Sequence, residues 1–186
     1  MTRIVAGIVG GRRIEVPRSG TRPTSERVRE ALFARLEHYG VLDGARVLDL
    51  CAGSGALGLE AASRGAGDVT LVDSSRAASE ICRRNIRALG LRGLRVVTAK
   101  AAAFLTGAAG APVDLVLIDP PYELAEEGLT AILSPLTRSE DPWLAPRAVV
   151  VVERSTRSPE PAWPQGLGRF ADKRYGETTL WFAEPL

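Results

Sequence analysis

The chain has few of the side chains that build metal sites and disulfide frameworks. Its 186 residues include two cysteines and one histidine. Cys51 and Cys82 lack the CxxC spacing of zinc and redox motifs, and His38 falls near the end of a helical pattern, where a surface position is expected. We therefore predict no bound metal and no disulfide bond. Both thiols are expected to be small buried residues, and a role as a nucleophile stays open for Cys51 alone.

Long apolar segments are missing as well. No run approaches the roughly 20 residues that cross a bilayer as a helix, and residues 1–7 lack the sustained apolar core of a signal peptide. This pattern predicts a soluble cytoplasmic protein without a membrane partner. The length is typical of one compact domain with an appendage, and it leaves the oligomeric state open, with a monomer favoured.

Lysine is scarce, so arginine carries nearly all of the positive charge. The net charge of +2 is unevenly distributed, because residues 1–25 contain five arginines against Glu15 alone, and residues 81–99 contain five arginines and no acid. Clustered arginines are typical of surfaces that bind phosphate groups, and a nucleic acid is the expected partner. The alternative is that both clusters are simply solvated faces.

The first part of the chain is predicted to be an attached element. Two β-like runs, residues 3–9 and 12–16, flank Gly10-Gly11 and predict a hairpin with a two-residue turn. After a loop rich in proline and glycine, a helix is predicted from Thr24 and is expected to stop at Gly40. We assign residues 1–40 to an RNA-binding extension.

The remaining residues, 41–186, alternate between β-like and helical patterns. Strands are predicted at residues 46–50, 69–73, 94–98, 113–118, 147–153, 169–175 and 178–183. Helices are predicted near residues 56–64, 76–89, 99–106 and 125–136. The alternation indicates an α/β fold with a doubly wound, mostly parallel, seven-stranded sheet that ends in an antiparallel hairpin.

A glycine-rich stretch joins the first of these strands to a helix. Gly53, Gly55 and Gly58 form a G-x-G-x-x-G motif, and Asp73 ends the next strand 20 residues after Gly53, where an acid can bind ribose hydroxyls. The motif predicts a nucleotide-containing cofactor. The alternative is a tight strand-to-helix turn that requires glycine.

Asp49 distinguishes between two such cofactors. NAD and S-adenosylmethionine both carry an adenosine, but a carboxylate beside the glycine loop suits the cationic amino end of S-adenosylmethionine and would repel a pyrophosphate. We therefore predict S-adenosylmethionine rather than the NAD of a dehydrogenase. The candidate cofactor-binding residues are Asp49, Cys51, Ala52, Gly53, Ser54, Gly55, Asp73 and Ser74.

A second loop carries the candidate catalytic residues. The apolar run at residues 113–118 breaks at Asp119, Pro120, Pro121 and Tyr122, here called the Asp119 loop, and a loop in this position is expected to lie in a cleft. The prolines offer carbonyl oxygens without N–H groups, Asp119 adds an acceptor, and Tyr122 adds an aromatic face. This combination suits a planar molecule that carries an amino group, such as a nucleobase or an amide.

Together these motifs resemble class I S-adenosylmethionine-dependent amino-methyltransferases, which have a Rossmann-like fold. Over nearly the whole chain the sequence is similar to the RsmD family, whose members methylate the exocyclic N2 of a guanine in small-subunit (16S) ribosomal RNA. The stretches that carry this similarity are Arg3-Ile4-Val5-Ala6-Gly7, Gly11-Arg12-Arg13, Arg22-Pro23-Thr24, Arg29-Glu30-Ala31-Leu32-Phe33, Leu57-Gly58-Leu59-Glu60-Ala61 and Ser63-Arg64-Gly65-Ala66.

The resemblance implies that the chain methylates guanine N2 in 16S ribosomal RNA, within a small-subunit assembly particle. Asp119 and the Pro120 carbonyl are expected to accept the two N–H groups of the amine, while Tyr122 stacks on the base. The expected RNA contacts are Arg3, Arg12, Arg13, Arg22 and Thr24.

Two positions depart from the family pattern. Cys51 stands where Phe or Gly is common, and Lys100 lies in a stretch where related enzymes often place Asp or Asn against the adenine amine. The Asp119 loop alone also fits a DNA adenine or cytosine amino-methyltransferase, or a protein glutamine methyltransferase. A non-enzymatic RNA-binding protein with a decayed methyltransferase fold is a further alternative.

Overall fold

Short apolar segments form a central sheet with helices on both faces. The computed structural model describes residues 1–17 and 24–186. In chain order the strands are β1 (Thr2–Arg3), β2 (Arg13–Ile14), β3 (Arg46–Leu50), β4 (Asp68–Asp73), β5 (Leu94–Thr98), β6 (Val113–Ile118), β7 (Leu144–Ser155), β8 (Leu167–Tyr175) and β9 (Thr178–Pro185). The helices are α1 (Glu26–His38), α2 (Ala56–Ser63), α3 (Arg76–Leu89), α4 (Ala101–Leu105) and α5 (Glu126–Leu133), and a 3-10 turn covers Ser134–Thr137.

Seven of the strands form one mixed sheet in the order β5-β4-β3-β6-β7-β9-β8. Strands β3 to β7 run parallel, while β9 pairs antiparallel with both β7 and β8. This arrangement confirms the predicted doubly wound α/β fold. The chain reverses its winding direction between β3 and β6, and the carboxyl ends of strands at such a reversal form a ligand crevice.

Alternate residues of the central strands pack into two separate cores. On one face, Val47 and Leu117 pack against α1, α2 and α3, while on the other, Leu48 and Ile118 pack against α4 and α5. Because both faces are covered, the central strands have continuous apolar sequences rather than alternating ones. No helix in residues 1–17 or 24–186 is long and apolar enough to cross a membrane.

The predicted end of the fifth helix was wrong by three residues. The α-helix stops at Leu133 and continues as the 3-10 turn, in which Pro135 occupies one of the first positions. Proline has no N–H to donate to the carbonyl four residues back, so the α-helical pattern cannot pass through it.

The predicted N-terminal hairpin was correct in its pairing but wrong in its turn. Strands β1 and β2 pair only through Thr2 with Ile14 and Arg3 with Arg13, so Gly10-Gly11 is not a two-residue turn between long strands. Residues 5–9 instead leave the ladder, and their backbone N–H groups bond to side chains and carbonyls of α2.

Glu60 holds this segment against α2. Its buried carboxylate accepts hydrogen bonds from Val5 N at 2.8 Å and Ala6 N at 3.0 Å, and it forms an ion pair with Arg64 at 2.8 Å. Gly7 completes the contact, because its φ is 85° and a Cβ there would lie 1.9 Å from the Ser63 carbonyl oxygen. The extension is therefore docked by specific backbone bonds rather than by strand pairing.

We expect Glu60→Ala to lower the free energy of unfolding by about 3 kcal/mol, because it removes the buried partner of Arg64, which keeps its ion pair with Glu37, and leaves two backbone N–H groups without their acceptor. Urea unfolding measures the effect. The control is Glu80→Ala, which breaks an Arg76–Glu80 pair of the same i,i+4 spacing whose side chains are 88% and 51% exposed. Equal stability of the two variants would contradict the anchoring role of Glu60.

Helix α1 packs against the sheet. Val28, Leu32 and Leu36 are buried, and they belong to the same core as Val47 of β3. The helix begins at Glu26, two residues later than predicted. Ser25 is the N-cap, because its hydroxyl accepts from Val28 N at 3.2 Å. The division into residues 1–40 and 41–186 stays a prediction, and the two parts share a core.

Candidate active site

A cleft of about 430 Å³ lies at the carboxyl edge of the parallel strands. It is formed by the loops that follow β3, β4, β5 and β6, together with one side of α5. The residues that line it are Cys51, Gly53, Val72, Asp73, Ser74, Ala99, Lys100, Ala101, Ala102, Asp119, Pro121, Leu124, Gly128, Ala131 and Ile132. The glycine loop and the Asp119 loop, predicted separately, thus border the same cavity.

Asp73 joins the glycine loop to the loop that follows β4, at one end of the cleft. Its Oδ2 accepts from Gly53 N and its Oδ1 accepts from Ser75 N, each at 2.8 Å. Gly53 and Gly55 have φ values of 57° and 83°, in the left-handed region that favours glycine. The carboxylate therefore fixes the glycine loop while one side of it remains on the cleft wall.

Asp49 lies behind the glycine loop and is 1% exposed. Its Oδ2 accepts from Gly58 N at 2.8 Å, and its Oδ1 has no hydrogen-bond partner among the described residues. Burial, together with the charges of Asp119 and Asp73, raises the pKa of this carboxyl to about 8. A cation in the cleft would favour its ionised form, because such a charge offsets the desolvation of the carboxylate.

Four predicted cofactor residues line the cleft and four shape it from behind. Cys51, Gly53, Asp73 and Ser74 are on the wall. The other four are not wall residues. Asp49 accepts from Gly58 N in the first turn of α2, and Gly55 is the N-cap of that helix. Ala52 N donates to the Val72 carbonyl, and the Ser54 carbonyl accepts from Asn85.

The thiol of Cys51 is poorly suited to nucleophilic chemistry. Burial, followed by the charges of Asp73, Asp49 and Asp119, raises its pKa to about 12, so the reactive thiolate is not formed near neutral pH. Cys82 is buried and donates to the Gly53 carbonyl at 3.1 Å. The described part of the chain contains no group of three or more His, Cys, Asp or Glu side chains placed to hold a metal ion.

Hydrogen bonds fix the carboxyl end of the Asp119 loop and the residues that follow it. The Pro121 carbonyl accepts from Leu124 N at 3.0 Å, and Arg154 of β7 donates to the Leu124 carbonyl at 3.0 Å and to Glu126 at 2.6 Å. Tyr122 is 55% exposed, so its ring presents an accessible aromatic face beside the cleft.

Asp119 shares a hydroxyl group with a second acid, Glu153. The Oγ1 atom of Thr24 lies 2.9 Å from Asp119 Oδ2 and 2.8 Å from Glu153 Oε2. A hydroxyl has one proton and can donate to only one of these oxygens, so the other contact requires a protonated carboxyl. One of the two carboxyl groups is therefore protonated, and the other is ionised.

We assign this extra proton to Glu153, because the charge of Asp119 adds to the effect of burial in raising the Glu153 pKa. Burial raises the pKa of Asp119 to about 6, and the Thr24 hydrogen bond opposes that shift. Burial and the charge of Asp119 raise the pKa of Glu153 to about 8. Glu153 consequently donates to Thr24, Thr24 donates to Asp119, and Asp119 remains an ionised acceptor.

Sequence reasoning missed Glu153, although the signal was present. Its strand is an apolar run, residues 148–152, that breaks at an acid just as the run in β6 breaks at Asp119. Because Ile118 pairs with Val152 in register, the two acids come to the same level of the sheet. A search for acids at the carboxyl ends of neighbouring buried strands would have found the pair.

Thr24→Val should move to higher pH the acid limb of the methyl transfer that the sequence motifs predict. The Thr24 hydrogen bond lowers the Asp119 pKa, so its removal raises that pKa, and Asp119 loses its ionised form at a higher pH. A pH profile of kcat/KM measures this change. Thr106→Val is the isosteric control, since Thr106 bonds only the Ala103 carbonyl of its own helix. An acid limb at the same pH in both variants would contradict the shared hydrogen bond.

The predicted RNA-contacting residues lie in three settings. Arg3 forms an ion pair with Glu26 at 2.8 Å, Arg12 donates to the last carbonyls of α3, and Arg13 is exposed. Thr24 is buried beside Asp119 rather than on an open surface. Arg22 lies outside the described residues.

The structure brings the two arginine-rich segments together. Glu15 pairs with Arg84 at 2.9 Å, and Asn85 bonds both the N–H and the carbonyl of Glu15, while Arg12 bonds Ala88 and Leu89 of the same helix. The N-terminal extension therefore docks along α3, so Arg12 lies against the helix that carries Arg83, Arg84 and Arg87.

The strand order, the glycine loop and the acids at the carboxyl ends of neighbouring strands define a class I methyltransferase. The family model described as conserved hypothetical protein 95 matches residues 2–184. The chain belongs to this family, the RsmD family of methyltransferases.

Individual relatives are similar over most of their length. The Ribosomal RNA small subunit methyltransferase D of Escherichia coli strain K12 is 38% identical over 178 residues, which cover 94% of this chain and 85% of the relative. A solved structure named putative methyltransferase yhhF, from Escherichia coli, superposes with a TM-score of 0.83 at 37% identity and covers 98% of this chain and 97% of its own. The putative rRNA methyltransferase YlbH of Bacillus subtilis is 36% identical over 71% of this chain and 72% of its own length.

Proposed function

We propose that this protein transfers a methyl group from S-adenosylmethionine to the exocyclic N2 of a guanine in small-subunit (16S) ribosomal RNA. The observation that carries the proposal is the position of Asp119, which borders the cofactor cleft on one side and a small cavity with Tyr122 and Glu153 on the other. That cavity, of about 10 Å³, admits only a water-sized group such as an amine, which would lie next to the cleft across Asp119. The relatives named as ribosomal RNA methyltransferases supply the class of acceptor.

The residues of the cleft fit S-adenosylmethionine. Asp73 offers a carboxylate to ribose hydroxyls, and the positive-φ glycines let the cofactor approach the backbone closely. The Oδ1 of Asp49 has no partner among the described residues, and a cationic amino group beside it would favour the ionised carboxylate. When bound, the sulfonium cofactor supplies an activated methyl group, so no covalent enzyme intermediate is required.

The chain contributes orientation and a place for the released proton. Asp119 and the Pro120 carbonyl accept the two N–H groups of the amine, which turns its lone pair out of conjugation with the ring and toward the cleft. Tyr122 stacks on the base and fixes its plane. Asp119, ionised at neutral pH, accepts the proton that the amine loses after methylation.

A paired guanine cannot present N2 to this recess, so the target is unpaired or turned out of its helix. The basic region formed by the extension and α3 binds the surrounding phosphates. A ribosomal substrate, free or within a small-subunit assembly particle, places the proposed activity in the cytoplasm, and we propose that the protein acts as a monomer.

The test is transfer of labelled methyl groups by the purified protein to 16S ribosomal RNA, small subunits or DNA, followed by nucleoside analysis. We expect label in 2-methylguanosine from the ribosomal substrates. Label in methyladenosine or methylcytosine from DNA would favour the DNA amino-methyltransferase alternative. Label on protein glutamine would favour the protein glutamine methyltransferase alternative. Failure to bind S-adenosylhomocysteine in calorimetry would instead favour the decayed, non-enzymatic fold.

A further inference from the structure

A second cavity, of about 280 Å³, adjoins the Asp119 loop on the side facing the extension. It is smaller than the roughly 300–1,000 Å³ typical of sites for drug-sized ligands, which suits a single planar heterocycle. Its lining residues include Thr24, Tyr122, Glu153 and Tyr175. The cavity is thus lined by Tyr122, the aromatic residue of the Asp119 loop, and by Glu153, the acid that shares the Thr24 hydroxyl with Asp119.

We propose that Glu153 selects guanine by accepting the ring N1–H of the base whose N2 amine is held by Asp119. The inference rests on the proposed function, because it assigns a recognition role within the same acceptor site. It makes Glu153 a specificity-determining residue.

The hydrogen bonds of the described residues leave one oxygen of Glu153, a residue of the cavity wall, available as an acceptor. Its Oε2 lies 2.8 Å from Thr24 Oγ1, and the extra proton of the acid–hydroxyl–acid group lies in that bond. No described residue donates to the remaining oxygen, Oε1. A protonated carboxyl that donates through one oxygen still accepts through the other. Asp119 and Glu153 therefore present two acceptors side by side, bracketing the Thr24 hydroxyl.

The bases differ in what lies next to their amino group. In guanine the N2 amine is adjacent to N1–H, which is a donor. In adenine the N6 amine is adjacent to N1, and in cytosine the N4 amine is adjacent to N3, and both ring nitrogens are acceptors. A glutamine side chain likewise places a carbonyl oxygen beside its amide nitrogen. Two adjacent acceptors pair with guanine and leave each alternative with opposed lone pairs.

The size of the discrimination follows from an unsatisfied contact. A site that bonds a substrate N–H rejects an analogue without it, because the buried acceptor loses its partner. We expect roughly 10- to 100-fold in kcat/KM for this contact. The effect falls on the ring N–H and is separate from the position of the amine.

The experiment uses ribosomal RNA substrates with guanine or 2-aminopurine at the methylated position, once nucleoside analysis has located it. 2-Aminopurine keeps the exocyclic amine but has an unprotonated N1. We expect the wild-type protein to prefer guanine roughly 10- to 100-fold. Glu153→Met should bring the ratio close to one, and Glu153→Gln, whose amide donates to Thr24 and accepts from N1–H, should keep most of the preference.

Glu140→Gln is the matched control, because Glu140 is exposed and precedes the amino end of β7, and it should keep the full preference. Calorimetry with S-adenosylhomocysteine verifies that each variant is folded. Equal rates for guanine and 2-aminopurine with the wild-type protein, or an unchanged preference in folded Glu153→Met, would overturn the role of Glu153. Absence of 2-methylguanosine in the first step would instead reject the proposed function.

Discussion

Replacing Asp119 by alanine is expected to reduce the methyl-transfer rate on the order of 100- to 1000-fold, the loss typical when one preorganised polar partner of a transition state is removed. The side chain lies between the cofactor cleft and the acceptor cavity, and it is ionised at neutral pH because Glu153 holds the shared proton. Alanine removes both the proposed acceptor of the amine N–H and the proposed site for the released proton. Single-turnover kinetics with labelled cofactor measures the effect.

The control for this experiment is Asp172→Ala. Asp172 is a partly exposed acid of β8 that pairs with Arg169 at 2.7 Å, far from the cleft residues in the sheet order, so its loss should leave the rate unchanged. S-adenosylhomocysteine should bind Asp119→Ala with an affinity within several-fold of the wild type, because the glycine loop and Asp73 are intact. A near wild-type rate in Asp119→Ala would show that the amine is oriented by other groups.

Replacing Asp73 by alanine should weaken cofactor binding about 10- to 100-fold, since hydrogen bonds to a charged group contribute about 1.5–3 kcal/mol. The change removes the carboxylate that would bind the ribose. It also removes the acceptor of the Gly53 and Ser75 backbone N–H groups. The glycine loop then loses its fixed position as well as its ligand contact. Calorimetric titration with S-adenosylhomocysteine gives the affinity directly.

Asp68→Ala is a control on the same strand. Asp68 lies at the opposite end of β4, where it pairs with Arg46 at 3.3 Å and is about half exposed, so its removal should not alter cofactor affinity. Comparable affinity of Asp73→Ala and Asp68→Ala would contradict the placement of the cofactor against the carboxyl end of β4.

The sheet and its crevice were predictable because their causes are local. Continuous apolar runs mark strands buried on both faces, and the acids and glycines that interrupt them fall at strand ends. The bounds of β3, β5 and β6 agree with the prediction to the residue. Parallel pairing then brings those ends together without further information, which is why two loops that were predicted separately border one cleft.

The N-terminal turn could not be predicted because its cause is distant in sequence. Residues 5–9 read as a β-strand, but the buried carboxylate of Glu60 and the backbone at Ser63 compete for their N–H groups. A propensity pattern cannot show which acceptor a backbone N–H will meet more than 50 residues away.

The position of the Thr24 side chain could not be predicted from the sequence either. It follows an arginine-rich loop, and this context favoured an RNA contact, whereas its hydroxyl is committed to two acids from β6 and β7. The helix N-cap at Ser25 places that hydroxyl, so the extension contributes a side chain to the acceptor site itself.

The most direct test of the account is the content of 2-methylguanosine in small-subunit ribosomal RNA from cells with and without the gene. We expect one 2-methylguanosine position to lose its methyl group without the gene and to regain it when the wild-type protein is restored, but not when Asp119→Ala is supplied. Unchanged 2-methylguanosine in the cells without the gene would contradict guanine N2 of ribosomal RNA as the acceptor.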